Sequence, residues 1–354
     1  MGLRPWEARS LRINGQRIHV RIAGSSGPTV VLCHGFPGSW YSWRHQMYAL
    51  ADAGYRAVAI DMRGYGCSSK PIDKSAYRVL ELVEDCVGVV QALNEPTAVI
   101  VGHDYGAIVA WTAAWTRPEL FRGVVGMSVP FGGRGLAALP GSPFGELRPS
   151  QAYRAMAGPH KLHYREYFAL PGDFAAREVE EDLRGWLTSW LYSLSADRPL
   201  PPEFAGVDLT ALSDDRLLDF VRYAMCFPRG ERFGGLLEQP DALPTWLDQD
   251  DLDIYVAELE RGGVVAPLSY YTNCDLDWEC LGRFEGKPLT VPALFIGGDR
   301  DVVTISTQEA SRRAGEHVPD LRGSVIVPGC GHWIQQEQPV IVNKELVAFL
   351  DGLL

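Results

Sequence analysis

In the first third of the chain, short unbroken apolar runs alternate with longer stretches whose apolar positions recur every three or four residues. The runs are TVVLCHG at 29–35, RAVAIDMRG at 56–64, TAVIVGH at 97–103 and GVVGMSVP at 123–130. Continuous Val, Ile and Leu without polar alternation suits strands buried on both faces, as in a parallel sheet. Between them, YRVLELVEDCVGVVQALN at 77–94 puts Leu82, Cys86, Val89, Val90 and Leu93 on one helical stripe. GAIVAWTAAWT at 106–116 reads as a second helix, stopped by Arg117-Pro118. Strand and helix alternate, which predicts an α/β sheet.

After Pro130 the pattern changes to a Gly- and Pro-rich stretch, FGGRGLAALPGSPFGELRPS, and then to some 130 residues dense in Trp, Tyr, Leu and charge. EVEEDLRGWLTSWLYSL at 178–194 and WLDQDDLDIYVAELERGG at 246–263 read as helices. From Lys287 the strand texture returns in PLTVPALFIGGDRD (288–301) and GSVIVPGCGHW (323–333), followed by a last helix, VIVNKELVAFLDGLL. The expected organisation is one α/β core, residues 1–134 and 284–354, interrupted by a helical insertion at 135–283.

Composition narrows the setting. With 354 residues, 46% apolar and 22% charged, the chain can bury a substantial core. A net charge of -11 argues against nucleic acid or an anionic membrane as partner, since both reward Lys and Arg patches. Seven cysteines, odd in number, scattered and never spaced C-x-x-C, suggest neither a disulfide framework nor a zinc site; they are expected as reduced thiols of a cytoplasmic protein. The N-terminal MGLRPWEARSLRINGQRIHV lacks a continuous apolar leader segment, and no membrane span is expected.

Chemistry concentrates where apolar runs end. In VGHDYGA (101–107) two glycines flank a central polar residue at the spacing of a nucleophile elbow, but the centre is Asp104 rather than serine. Asp104, Asp301 and His332 each follow a strand-like run, where ligands gather in open α/β sheets. Their order is nucleophile, acid, histidine, the chain order of α/β-hydrolases. His332 is expected as the general base and Asp301 as the carboxylate that orients it, with Asp299 as the rival. A carboxylate attacking an ester or amide would only make an anhydride. Attack on a saturated electrophilic carbon makes an alkyl ester that water can cleave, so the expected substrate is an epoxide or an alkyl halide. HGFPGSWYSWR (34–44) matches an H-G-x-P element, whose Phe36 N–H, with the Tyr105 N–H, is expected to form an oxyanion hole. His34 and His103 are expected to support loops rather than to titrate in catalysis.

Together HGFPGSWYSWR, DMRGYGCSS, GHDYGA, PALFIGGDRD and GCGHW, spread from about Leu11 to Leu350, resemble the motifs of α/β-hydrolase-fold epoxide hydrolases, in particular bacterial members similar to the hydrolase domain of soluble epoxide hydrolase. The resemblance implies a mostly parallel central sheet flanked by helices, with the insertion as a helical cap. These motifs alone do not separate epoxide hydrolases from haloalkane and haloacetate dehalogenases. Opening an epoxide calls for a proton donor over the ring oxygen, a task a phenol can perform at neutral pH, whereas a halide needs only N–H donors. In the family two cap tyrosines do this work, in elements like LHYREYF and PLSYYTN. The resemblance therefore carries those roles to Tyr164 and Tyr271, with Tyr167 and Tyr270 as close decoys.

The family more often has Trp after the nucleophile, and in dehalogenases that Trp supplies a halide-binding N–H. Tyr105 here counts against halide chemistry. Phe36, Tyr105 and Trp333 are expected to touch substrate, while Trp186, Trp190, Trp246, Trp278 and Phe168 are expected mostly as cap packing, a few lining an apolar tunnel. No cofactor and no metal is expected: the glycines around Asp104 belong to the elbow, and no phosphate-binding loop is present. No phosphatase-like domain is expected before the core. The partners expected are a small apolar epoxide and water, and a homodimer formed through the cap is compatible with the sequence. The alternatives are a dehalogenase of the same fold and a non-catalytic ligand-binding member.

Overall fold

The fold is described from a computed structural model covering residues 6–354. Residues 1–5 of the expected core, and the first part of the N-terminal stretch read for a leader, lie outside the described residues.

Each of the six apolar runs forms a strand. In chain order the strands are β1 (Glu7–Ile13), β2 (Gln16–Ala23), β3 (Thr29–Cys33), β4 (Arg56–Asp61), β5 (Ala98–His103), β6 (Phe121–Met127), β7 (Lys161–His163), β8 (Cys226–Pro228), β9 (Ala293–Gly298) and β10 (Leu321–Val327). Eight of them make one sheet in the order β1-β2-β4-β3-β5-β6-β9-β10. It is parallel from β4 to β10, and β1 and β2 join antiparallel at one edge. The central strands β3 and β5 are buried at every position, as unbroken apolar runs require.

The β1–β2 hairpin is an addition to the expected elements. Its turn is Asn14-Gly15, both at positive φ, the backbone that a tight two-residue hairpin needs. Strand β1 is mostly exposed, so it shows no buried-face pattern from which a strand could be read.

Helices cover both faces of the sheet. On one face Val79–Ala92 and Tyr105–Thr116 pack with the strands and, beyond them, with the insertion. On the other, Arg44–Asp52 and Pro339–Asp351 bury Trp43, Met47, Leu50, Leu346 and Phe349. The expected helix at 178–194 is two helices, Phe174–Glu181 and Leu183–Ser193, broken at Asp182, whose φ of -147° leaves the helix and whose side chain caps the second one through the Gly185 N–H.

The chain between β6 and β9 supplies no strand to the main sheet. It holds helices and the β7–β8 ribbon, His163 pairing with Cys226. It is tied to the strand ends at several points. Tyr270 donates to the Arg63 carbonyl (2.6 Å), Asp277 accepts from the Val79 N–H (2.9 Å) and Arg44 reaches Asp251 (3.1 Å).

Candidate active site

The elbow follows from close packing at two glycines. A side chain on Gly102 would strike the Gly106 carbonyl, and one on Gly106 would strike the Cys33 carbonyl. Only glycine lets β5 run so directly into Tyr105–Thr116. Between them Asp104 takes φ 54° and ψ -121°, a conformation that costs about 1–3 kcal/mol and persists where surrounding packing enforces it. The strain turns the carboxylate towards the HGFP loop. Gly35 makes room for it, and the Phe36 N–H donates to Asp104 Oδ1 at 3.0 Å.

His332 stands on the far side of the carboxylate, its Nε2 3.7 Å from Asp104 Oδ2. Its Nδ1 is 3.0 Å from Asp301 Oδ1 and 3.0 Å from Ser128 Oγ. Asp301 is fully buried and further held by the Val303 N–H (2.9 Å) and the Thr304 hydroxyl (2.7 Å). Burial works against its ionised form, but the positive charge and hydrogen bonds of His332, with the Ser128 and Thr304 hydroxyls, outweigh it and lower its pKa. Burial likewise opposes the protonated form of His332, yet the Asp301 and Asp104 carboxylates carry its pKa above the usual imidazole value. Asp299 points elsewhere, accepting the Cys330 N–H at 3.2 Å.

The other two histidines near Asp104 are occupied. His34 donates from Nδ1 to the Gly35 carbonyl (2.9 Å) and accepts the Met62 N–H at Nε2 (3.1 Å), and burial lowers its pKa. His103 donates from Nε2 to the His332 carbonyl (2.7 Å); burial and then the charge of His332 push its pKa down to about 4. Both remain neutral loop supports at neutral pH.

From the insertion, Tyr164 and Tyr271 join Asp104 and His332 in lining one cavity, about 560 Å³ including its opening to solvent. Trp190, Phe233, Leu236, Leu237, Met225 and Val302 make much of the remaining wall. Tyr164 sits where β7 ends and the short helix Tyr164–Phe168 begins, and its hydroxyl accepts from Arg165 Nε at 3.0 Å. Among the described residues the Tyr271 hydroxyl has no hydrogen-bond partner. Both phenols are pushed above their ordinary pKa, chiefly by burial. Their neighbours are committed to structure: Tyr167 donates to Glu178, and Tyr270 to the Arg63 carbonyl.

Three residues expected to touch substrate sit off the cavity wall. Trp333 stands behind His332, 4.8 Å between ring centroids, with its indole N–H on the Leu191 carbonyl (2.7 Å). Tyr105 turns its hydroxyl to the Tyr270 carbonyl (3.2 Å) and packs edge-on against Tyr271. Phe36 reaches Asp104 through its backbone, while its ring packs among Phe168, Trp186, Trp190 and Tyr271. Of the five cap aromatics considered, Trp190 lines the cavity; Trp186 stacks behind it at 5.0 Å, and Trp278 is pinned by the Gly145 carbonyl and Arg134.

Ser128 and Thr304 were not foreseen. Ser128 is the first polar residue past β6, as Asp104 is past β5, so strand-end position was the available signal; Thr304 carries none beyond its place one turn after Asp301. Among the described residues no group of three or more His, Cys, Asp or Glu side chains is arranged to hold a metal ion, and no helix is long and apolar enough to cross a membrane.

Residues 28–155 match the family model for the alpha/beta hydrolase fold. The chain is 49% identical over 354 residues to Epoxide hydrolase B of Mycobacterium tuberculosis, covering 98% of each, and 37% identical over 346 residues to Epoxide hydrolase A of the same organism, covering 98% of this chain and 97% of that one. The solved structure of an epoxide hydrolase from an endophytic Streptomyces matches with a TM-score of 0.86 at 42% identity, over 98% of this chain and 96% of that one. The chain belongs to the epoxide hydrolases of the α/β-hydrolase fold.

Proposed function

We propose that the chain hydrolyses a small, predominantly apolar epoxide to its vicinal diol through a covalent ester on Asp104. The observation that carries this reading is a strained carboxylate, not a hydroxyl, at the elbow, placed between His332 and two cap phenols in one cavity. Asp104 attacks a ring carbon while Tyr164 and Tyr271 protonate the ring oxygen. His332, oriented by Asp301, then takes a proton from water as the water adds to the ester carbonyl. The oxygen of that carbonyl becomes an oxyanion facing the Phe36 and Tyr105 N–H groups, each such donor being worth about 3–4 kcal/mol in the transition state. Esterification removes the charge of Asp104, one of the charges that hold His332 protonated, so the base is freed at the step that needs it.

Within this reading residues 135–283 act as a cap that brings the phenols over the nucleophile. A lining that is mostly apolar suits a neutral molecule. The one charged cap side chain on its wall, Arg198, is already engaged by Glu238. The Tyr105 side chain offers the cavity no N–H for a leaving halide, which favours epoxides over alkyl halides. All seven cysteines are free thiols, supporting a cytoplasmic setting, and the acidic net charge supports small-molecule over nucleic-acid partners. Homodimerisation through the cap belongs to the same proposal and is read by light scattering.

A single turnover of an epoxide such as styrene oxide in ¹⁸O-water tests the covalent route. The label is expected in the Asp104 carboxylate, with an unlabelled first-turnover diol; label in that diol overturns it. His332→Gln is expected to accumulate an alkyl-enzyme adduct visible by intact mass.

A further inference from the structure

Three arginines are almost wholly buried: Arg44, Arg63 and Arg165. Arg63 lies fork-to-fork on Asp85 at 2.8 and 2.6 Å, and Arg44 reaches Asp251 at 3.1 Å. Arg165 is different. Among the described residues no carboxylate stands at ion-pair distance from it, although it is 3% exposed. An isolated buried guanidinium is strongly unfavourable unless something compensates it. What surrounds it is phenol: its Nε donates to Tyr164 Oη at 3.0 Å, and its guanidinium carbon lies 5.6 Å from the ring centroids of both Tyr164 and Tyr271.

The remaining titratable groups here are few. Tyr153 and Cys274 face Arg165, and His163 stacks on Tyr164 at 4.9 Å with its Nε2 unpartnered. Asp104 faces both cavity phenols, Tyr65 faces Tyr271, and Asp277 acts on Cys274 from the same helix while bonded to the Val79 N–H. The nearest carboxylate that changes charge during the proposed reaction is Asp104.

The charge balance of ring opening explains the arrangement. One Asp104 oxygen bonds to a ring carbon as that carbon's bond to the epoxide oxygen breaks. The epoxide oxygen keeps the electron pair and takes the Tyr164 proton, leaving an alkyl ester, a neutral alcohol and a phenolate. One negative charge has moved from Asp104 into the cap. Hydrolysis later breaks the bond from the ester carbonyl carbon to the diol oxygen: one water proton passes through His332 to the phenolate, the other passes from the added oxygen to the departing diol oxygen, and the Asp104 carboxylate is regenerated.

We infer that Arg165 is a positioning residue for ring opening: its Nε–H occupies one lone pair of Tyr164, turning the phenolic proton towards the cavity, and its unneutralised charge stabilises the phenolate that proton transfer leaves. The inference rests on the covalent epoxide-hydrolysis reading above. It makes the Tyr164 phenolate, held by Arg165, the destination of the charge released from Asp104.

The test separates the two half-reactions by rapid quench and intact mass, using styrene oxide and the full chain. Arg165→Met is expected to slow ester formation roughly 10²-fold, a loss typical of a removed preorganised donor, with ester hydrolysis within about threefold of the parent. The alkaline limb of ester formation should move to higher pH, because Tyr164 loses the cation that eases its ionisation. In a Tyr164→Phe background the same substitution should change ester formation by less than about threefold, since the phenol it acts through is gone. Arg165→Lys, which keeps the charge without the Nε donor, should fall between parent and Arg165→Met, and it carries the test if Arg165→Met does not fold. Ester formation at the parental rate in either variant, an unmoved limb, equal loss in both half-reactions, or the same loss in the Tyr164→Phe background overturns the inference. Failure of the parent enzyme itself to form an ester on Asp104 would instead overturn the mechanism beneath it.

Discussion

The two halves of the site stabilise charge in opposite ways. On the core side, Asp301, His332 and Asp104 sit in a dense set of fixed partners: backbone N–H groups, Ser128, Thr304 and one another. On the cap side the proposed proton donors are phenols among aromatic rings, with a single buried cation and, among the described residues, no carboxylate paired to it. The core is built to hold charge at rest. On the proposed mechanism the cap holds one unpaired positive charge at rest and receives negative charge during the reaction. The contrast predicts that, Asp104 itself apart, core substitutions act mainly on ester hydrolysis, and cap substitutions on ester formation.

The largest effect should come from Asp301→Asn. An amide in place of the carboxylate leaves His332 in the wrong tautomer and unsupported as a cation, so ester hydrolysis should fall by about 10³-fold or more. Ester formation, which uses Asp104 and the phenols, should be nearly preserved. Rapid-quench mass spectrometry should then find most of the enzyme as the alkyl ester; loss of both steps together would break the division between core and cap.

Tyr271→Phe is the converse experiment. The other phenol, Tyr164, remains, so ester formation should slow by roughly 10²-fold rather than vanish, the lower end of the range for loss of general-acid help. Hydrolysis of preformed ester should be unaffected. A variant that accumulated ester like Asp301→Asn would place Tyr271 in the second step.

These expectations also show which parts of the molecule were readable in advance. Much of the core was, because β3 to β6 and β9 are almost wholly buried and the candidate catalytic residues follow strands: each apolar run became a strand, and Asp104, Asp301 and His332 lie in the turns just beyond strand ends. The β1–β2 hairpin carries a signal only in part: β1 is an exposed edge strand with no burial pattern, whereas Asn14-Gly15 followed by the alternating, buried Ile18, Val20 and Ile22 of β2 is a hairpin pattern. Cap geometry was less accessible still. Tyr164 and Tyr167 are both buried on one short helix, and periodicity does not say which hydroxyl meets the cavity and which meets Glu178; only resemblance separated them. Trp333 is expected at the substrate and adjoins His332 in sequence. A side chain one residue along a turn points elsewhere, here to the Leu191 carbonyl behind the histidine. Arg165 carries meaning only once its lack of a counterion is visible.

A pH profile sharpens the comparison at smaller scale. Protonated His332 has no lone pair to offer water, so ester hydrolysis should fall as pH drops through its pKa, which lies above the ordinary imidazole value in the free enzyme. In the alkyl-enzyme the charge on Asp104 is gone, so the kinetic limb should lie below the His332 titration measured by NMR in free enzyme. Stability follows the same pair. The raised His332 pKa contributes fully below the unfolded value of about 6.5 and is lost as pH rises through the folded pKa, whereas the lowered Asp301 pKa contributes above about 3.9 and is lost as pH falls through its folded value. Between those unfolded values, roughly pH 4 to 6.5, both contributions are present. Coincident kinetic and NMR pKa values would mean that the charge on Asp104 does not reach His332.

The smallest effect separates two carboxylates only two residues apart. Asp299 and Asp301 both follow β9 in GGDRD, and composition gives no reason to prefer either. Their surroundings differ. Asp301 is fully buried with His332, Val303 and Thr304 around it, while Asp299 is partly exposed and accepts one backbone N–H, from Cys330. That bond staples the loop leading to His332, and Asp299→Asn trades its charged acceptor for a neutral one, which should cost about 1 kcal/mol, the difference between a hydrogen bond to a charged group and an ordinary one. In a chain of this length that lowers the melting temperature by about 1–2 °C. Because an amide oxygen still accepts from Cys330, both half-reactions should stay within about twofold of the parent. A loss in ester hydrolysis approaching that of Asp301→Asn would move the triad acid to Asp299 and undo the core side of the comparison, since the charge that raises His332 would then come from a group in contact with solvent.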